Sequence, residues 1–385
     1  MTQWIAAAGA FVVSLDSMVN IALPAMAATF GVPPEQVRWI IICYVGTYAV
    51  MSFVGGAAAD RLGHLAVFRA GLALSVAGFV VCATAPAFGV LLAGRAVHGL
   101  GGGLVYGTAP ALVTAGADAT DRARRVGFLS AAIGLGLAIG PLPAGVLVDT
   151  FGWPAIFHAR VPLAAALLAW ALVTSAGRAV GGRRLVAARD VLRRAVLWPG
   201  ALSFVANASI FAVWLLTPFY LVSARGLSAT VGGTLFMLTP LGLAAAAPLA
   251  ARLAVRVGPH ALMVAGLALE AAGLVVLSRA DAVTPLPLLA GGLVAAGFGL
   301  GVFQVPNMTV VLAAFPPGQQ GAAGGFTFLA RTLGVVAGVA VLAQVFAVRR
   351  RAVGFQPAYD EAFLLAAVAV AAVAVAALVL GRGRR

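Results

Sequence analysis

The chain has 385 residues, 62% of them apolar and only 9% charged, and its net charge of +14 is carried without a single lysine. Such a balance is too apolar for a soluble core of this length and places the chain in a bilayer. With arginine as the only basic residue besides histidine, a phosphate-gripping P-loop and a lysine Schiff base are both excluded.

Apolar stretches of the length that crosses a hydrocarbon core of about 30 Å recur at 4–27, 38–57, 67–86, 88–112, 126–148, 155–176, 198–222, 230–250, 261–279, 286–313, 323–347 and 361–380. They predict an all-α integral membrane protein with twelve transmembrane helices. The first stretch has no basic leader and carries Asp16 at its centre, so it is expected to be a retained helix rather than a cleaved signal. Arg61–Val81 can be laid on Arg256–Val276 without gaps, LLAG at 91–94 on LLAG at 288–291, and Gly127-Phe128…Gly136-xxx-Gly140 on Gly325-Phe326…Gly334-xxx-Gly338, at offsets drifting only from 195 to 198. The chain therefore divides into an N-terminal six-helix bundle (1–176), a cytoplasmic linker (177–197) and a C-terminal six-helix bundle (198–385). The repeat is not matched in charge: Arg95 faces Gly292 and Arg331 faces Ile133. The linker, GRAVGGRRLVAARDVLRRAV, is either simply solvated or amphipathic, with Leu185, Val186, Leu192 and Val196 on the membrane surface.

Placing both termini in the cytoplasm puts most loop arginines inside, against an outside set of Arg38, Arg160, Arg225, Arg279, Arg349, Arg350 and Arg351. The positive-inside rule favours that orientation in a cell membrane, of the bacterial inner or plasma type. Arg349–Arg351 fall on the wrong side, where Asp360 and Glu361 are available partners. The scattering of arginines among spans argues for anionic lipid nearby and against nucleic acid as partner. The four histidines, His64, His98, His158 and His260, and the cysteines Cys43 and Cys82 form no metal-binding spacing, and no nucleophile elbow is present. No cofactor and no enzymatic activity are expected. An even number of spans per half leaves the repeats parallel, as in one large class of secondary transporters.

The motifs narrow this further. Gly56-Ala-Ala-Ala-Asp60-Arg61-Leu-Gly63 resembles the cytoplasmic-loop signature of the major facilitator superfamily, and Leu92-Ala-Gly-Arg95-Ala-Val-His98-Gly99 its fourth-helix motif. Gly136-Leu-Ala-Ile-Gly140-Pro141-Leu-Pro-Ala-Gly145 resembles the fifth-helix motif associated with antiporters. Leu15-Asp16-Ser-Met-Val-Asn20-Ile-Ala-Leu-Pro24, and Gly321-Ala-Ala-Gly324…Arg331-Thr-Leu-Gly334 in the second half, look like drug/proton antiporters of the fourteen-span group, although only twelve spans fit here. The sequence departs from the family pattern at His64-Leu65, where basic residues are usual, at His98, where glutamine is usual, and at Ala144, where glycine is usual.

The resemblance implies a monomeric, proton-coupled transporter that exports small amphipathic compounds by alternating access. An unpaired carboxylate at mid-bilayer costs several kcal/mol, so Asp16 should exchange protons, with Arg95 its neighbour if the first and fourth helices pack as the family fold implies. A static buried ion pair is the alternative. His98, one turn from Arg95, either relays protons or satisfies a backbone carbonyl. Asp60, Arg61 and Gly63 are read as gating residues at a cytoplasmic turn, and Gly136, Gly140, Pro141 and Gly145 as a seal; a tight turn and ordinary close packing explain them equally well. Asn20, Trp39, Tyr44, Asn207, Phe211, Trp214, Tyr220, Gln304, Asn307 and Arg331 are expected around the substrate, since amides within apolar spans should point inward and aromatics offer faces to ligands. Glu270 is also mid-span, but the family fold puts the ninth helix at the periphery. Trp4, Trp153 and Trp198 stand near span ends as interfacial anchors. Two competing functions remain: movement of a small organic anion on Arg95 and Arg331, or a non-transporting receptor, which would need a docking loop longer than the roughly twenty residues available.

Overall fold

The computed structural model describes residues 2–114, 119–174, 192–315 and 320–382, and within these the backbone alone at 53, 57, 60–61, 119–124, 126–127, 130, 251, 255, 320–325 and 381–382. The linker expected at 177–197 falls mostly outside the described residues, as do the side chains of Asp60 and Arg61.

Among the described residues there are twelve long apolar helices, and each can cross a membrane by length and composition. They are α1 Thr2–Phe30, α2 Pro34–Leu62, α3 His64–Ala83, α4 Phe88–Thr114, α5 Ala119–Ile139 continued by Pro141–Phe151, and α6 Ala155–Val173. The second series is α7 Arg194–Ala224, α8 Ala229–Phe236 continued by Leu238–Val257, α9 Pro259–Leu277, α10 Leu286–Ala314, α11 Gln320–Val353 and α12 Phe355–Arg382. All twelve expected spans are found, several extended beyond the apolar stretch into polar turns. Helices are the natural answer to hydrocarbon, because each satisfies its backbone groups internally.

Contacts group α1–α6 with Leu227–Thr234 in one compact unit, and α7 with the rest of α8–α12 in another. In the first unit α3 and α4 cross on glycines: a Cβ at Gly71 would lie 2.9 Å from Gly101 O, and one at Gly78 only 2.6 Å from His98 N. In the second unit α9 and α10 cross in the same way, with a Cβ at Gly266 2.7 Å from Gly299 O and one at Gly273 2.4 Å from Ala296 N. Small residues let helix backbones approach where lipid supplies no hydrophobic drive. The turns also repeat: Gly63 and Gly258, joining α2 to α3 and α8 to α9, have φ of +90° and +84°, which glycine adopts without strain.

These contacts correct one detail of the repeat. Because Gly71 meets Gly101 where Gly266 meets Gly299, α4 and α10 are offset by 198, and Arg95 lies opposite the buried Leu293 rather than Gly292. A one-residue slip is invisible in Leu/Ala/Gly-rich sequence and is fixed only by which backbone atoms touch.

Local breaks have identifiable causes. Pro141, which has no N–H, divides α5 after Gly140. In α1 the segment Leu15–Ser17 winds as a 3₁₀ turn around Asp16, and Ser14 Oγ returns to Ala10 O at 2.8 Å. A 3₁₀ stretch inside a helix commonly marks a functional hinge. After Pro218, α7 widens into a π-helical stretch, Phe219–Ala224, that carries Tyr220. In α12, Glu361 holds Arg349 in a paired contact, whereas Asp360 accepts from Gln356 Nε2 at 2.8 Å.

Candidate functional site: a buried charge cluster in the first unit

Asp16 sits where its 3₁₀ turn aims the carboxylate at α4 and α6. Arg95 grips it with both nitrogens, Nη1 to Oδ1 at 2.5 Å and Nη2 to Oδ2 at 2.7 Å. The third Arg95 nitrogen, Nε, donates to Ile40 O on α2 at 3.0 Å. Bidentate guanidinium–carboxylate pairs are the strong kind, because both charge and geometry match. A second guanidinium, that of Arg160 on α6, donates from Nη1 to Asp16 Oδ1 at 3.1 Å and from Nε to Ile156 O at 3.1 Å. His98 lies on the Arg95 side, its Nδ1 3.2 Å from Arg95 Nη1 and 3.6 Å from Asp16 Oδ1. Arg95, Arg160 and His98 are buried, and Asp16, with a side chain 14% exposed, is the member that meets the surface.

Aromatic faces surround the charges. The Arg95 guanidinium lies 4.3 Å from the Tyr44 ring, and Arg160 lies 4.6 Å from Phe79 and 5.0 Å from Phe157. Such contacts stabilise a cation after its water has been stripped away. Tyr44 also stacks on His98 and on Tyr48, and Tyr48 meets Tyr106 edge-on. Tyr106 closes the group with a 2.5 Å hydroxyl contact to Ser14, the residue immediately before the 3₁₀ break.

The expected coupling residues Asp16, Arg95 and His98 therefore meet, and Tyr44, expected around the substrate, packs against Arg95 and His98. Arg160 requires a correction. Sequence places it among the outside loop arginines, yet it is fully buried and bonded to Asp16. It lies at the start of an apolar stretch, and linear position alone cannot tell a loop charge from one folded under a neighbouring helix. Phe79, Tyr48 and Tyr106 were also missed. Tyr48 had a signal, since it follows Tyr44 by one turn on the same face. Asn20 is buried one turn after Asp16 on α1, its Nδ2 donating to Ser17 O at 3.4 Å. Trp39 is 45% exposed on α2 and stacks with Arg38.

The fifth-helix glycines act through close approach. A Cβ at Gly136 would stand 2.7 Å from Phe11 O, and one at Gly140 2.2 Å from Ser17 Oγ, so both press α5 onto the segment of α1 that carries Asp16. Further along, a Cβ at Gly145 would stand 2.3 Å from Ala229 O, and Asp149 accepts from Ala229 N at 2.9 Å and Thr230 N at 2.7 Å. Asp149 thereby caps the free N–H groups that begin α8.

In the second unit two of the expected residues, Asn207 and Gln304, make a neutral group. Gln304 Nε2 donates to Asn207 Oδ1 at 3.2 Å, and Asn207 Nδ2 donates to Ser203 O at 2.7 Å. Asn307 is buried close by in sequence on α10, Phe211 is buried on α7, and Trp214 packs edge-on against Phe236. Tyr220 is buried against Tyr359 and donates its hydroxyl to Asp281 O at 2.5 Å, which ties down the α9–α10 turn. Arg331 is half-buried on α11. Glu270 is fully buried on α9 against Gly299, and neither carboxyl oxygen has a hydrogen-bond partner among the described residues.

Several known proteins are similar to this chain. The chain is 34% identical over 162 residues to the multidrug resistance protein Stp of Mycobacterium tuberculosis, a match covering 42% of this chain and 30% of Stp. It thus spans less than a third of the first curated relatives it matches. It is 35% identical over 164 residues, 42% of this chain and 35% of the relative, to the methylenomycin A resistance protein of Bacillus subtilis. It is 26% identical over 393 residues to the riboflavin transporter RibZ of Clostridioides difficile, covering 88% of this chain and 86% of RibZ. Among solved structures, the nucleoside transporter NupG superposes with a TM-score of 0.80 at 12% identity over 98% of this chain and 99% of its own. A D-xylose–proton symporter gives 0.72 at 16% identity over 96% of each chain. The Major Facilitator Superfamily profile matches residues 5–339 and, in a second placement, 202–385. With twelve apolar helices, two glycine-packed units and a profile match over most of its length, the chain belongs to the Major Facilitator Superfamily of membrane transporters.

Proposed function

We propose that this transporter exports small amphipathic compounds in exchange for protons by alternating access, with Asp16 as the coupling carboxylate. The observation that carries the reading is the double clasp of Asp16 by guanidiniums from α4 and α6. A proton on that carboxylate weakens both clasps at once, so its arrival or departure changes how α1 is held against α4 and α6. A bistable contact of this kind is what a rocking mechanism requires. The multidrug-resistance relatives support export, and a proton symporter of the same fold supports protons as the driving ion. His98 and Tyr44 flank the carboxylate; Asn20, Asn207, Phe211, Trp214, Gln304 and Asn307 supply hydrogen bonds and apolar faces for the compound. Asp60, Arg61 and Gly63 gate the cytoplasmic turn, and Gly136, Gly140, Pro141 and Gly145 seal the helix. The chain works as a monomer, with both termini in the cytoplasm.

The test is substrate-evoked proton movement in proteoliposomes, wild type against Asp16→Asn. Uphill transport should vanish in the variant while its elution profile and helical content stay native; uphill transport that survives sinks the reading. A second reading, movement of a small organic anion, is favoured by the second guanidinium at Arg160. The direction of proton flow separates the two, because an exchanged proton moves against the compound and a shared one moves with it.

A further inference from the structure

The cluster around Asp16 is not electroneutral. Arg95 and Arg160 both bind the one carboxylate of Asp16, and no second carboxylate bonds either guanidinium among the described residues. A guanidinium only donates, so His98 Nδ1 is the acceptor opposite Arg95 Nη1, and the ring proton of the neutral imidazole sits on Nε2. Two donor nitrogens are then left with no hydrogen-bond partner among the described residues, Arg160 Nη2 and His98 Nε2, both buried. Phe79 flanks both: its ring lies 4.6 Å from the Arg160 guanidinium and 4.4 Å from the His98 ring. An uncompensated buried cation is expensive, and a well-packed apolar side chain would hold α6 against α1 at lower cost. A second guanidinium here makes sense if something anionic joins it.

We propose that Arg160 makes this site selective for compounds that bear one anionic group of the carboxylate type. The group accepts hydrogen bonds from Arg160 Nη2 and His98 Nε2 and brings the cluster to zero net charge, one carboxylate for each guanidinium. The same surplus charge turns permanent cations away. The compound enters beside Asp16, the member of the cluster that reaches the surface. This selectivity rests on the reading of the cluster as the substrate-linked site and holds for either direction of movement.

The experiment uses the full chain in nanodiscs and in proteoliposomes, with three probes: coumarin-3-carboxylate, its methyl ester and tetraphenylphosphonium. Wild type should bind the acid about tenfold or more tightly than the ester, the scale of one charge-assisted hydrogen bond, and should not bind the cation. Arg160→Gln should erase the preference for the acid and admit tetraphenylphosphonium, whereas Arg160→Lys, which restores the charge, should keep part of that preference. Unfolding midpoints of both variants confirm that they are folded. Equal binding of acid and ester by wild type, tight binding of the cation, or an Arg160→Gln variant with unchanged preference each overturns the proposal. Stabilisation by chloride alone, with no response to carboxylates, overturns it too, since the site would then serve an inorganic ion. If the acid binds selectively but no probe crosses the proteoliposome membrane under a pH or voltage gradient, the transport reading fails and the anion site stands. If the ester and the acid are carried equally well, the reverse holds.

Discussion

Ser14 touches Tyr106 in the first unit where Asn207 touches Gln304 in the second. The two pairs coincide once the helices are brought into register by their glycine contacts, Phe11 with Phe204 against Gly136 and Gly334, and Gly101 with Gly299. From that shared crossing the units diverge. Counted in the same register, Asp16 lies level with Ser209, Arg95 with Leu293 and His98 with Ala296, and Arg160 follows the turn glycine Gly152 as Ala362 follows Gly354. Every member of the charge cluster thus has an uncharged counterpart. The one buried acid of α9, Glu270, stands where the first unit has Ser75, which bonds Gly71 O at 2.9 Å. The duplicated scaffold is kept by backbone approach, and the side chains that it presents are free to specialise. The comparison assigns the buried ionic cluster to the first unit and, at the matching positions, neutral hydrogen bonding with aromatic packing to the second.

The largest effect expected from that division is on stability. Asp16→Ala leaves two buried guanidiniums without their carboxylate and should cost about 3–5 kcal/mol in reversible unfolding in detergent, whereas Ser209→Ala should cost less than about 1 kcal/mol. Comparable losses would erase the asymmetry. Next come the shared contacts: Gly136→Ala and Gly334→Ala drive a methyl to within 2.7 and 2.3 Å of a facing carbonyl, and each should lose about 1–3 kcal/mol. A loss in one unit only would mean that the scaffold itself has diverged.

Glu270→Leu sharpens the comparison from the other side. Removing an acid with no partner should raise stability by about 1–3 kcal/mol and leave uphill transport intact; a transport defect would show that ionic chemistry is not confined to the first unit. Gln304→Ala should cost about 1 kcal/mol and raise the apparent KM several-fold, since one neutral hydrogen bond is lost. The smallest effect is at the α9–α10 turn. The Thr284 hydroxyl, together with the backbone N–H of Val283, holds the exposed Asp281 carboxyl below the usual carboxylate range. Its contribution is therefore complete above about pH 4 and is lost as pH falls through the lowered folded value. Amide exchange at residues 281–284 should accelerate on acidification across that window, with the first unit unaffected.

Much of this was legible in the chain. Spans of roughly 20 apolar residues have few alternatives in a bilayer, so the twelve helices follow from composition, although several run on past the apolar stretch into polar turns. Asp16 and Arg95 stood out because a charge inside a span must find a partner, and the two do meet. Arg349 found Glu361, one of its two candidates. Arg160 was not legible: it begins its span, where an arginine usually belongs to a loop, and only the packing of α6 onto α1 reveals it. Nor could sequence distinguish Leu293 from Gly292 opposite Arg95, because register among small residues depends on which backbones touch.

Sequence by itself determined the class of solvent, the number of crossings, the duplication and that Arg95 has no charged equivalent in the repeat, since each depends on local length, hydropathy and spacing. Tertiary structure alone decided that one carboxylate serves two guanidiniums and that two donors are left over. Those facts come from three helices far apart in the chain, brought to one point by how the helices of the first unit pack, and no local pattern encodes where such paths converge.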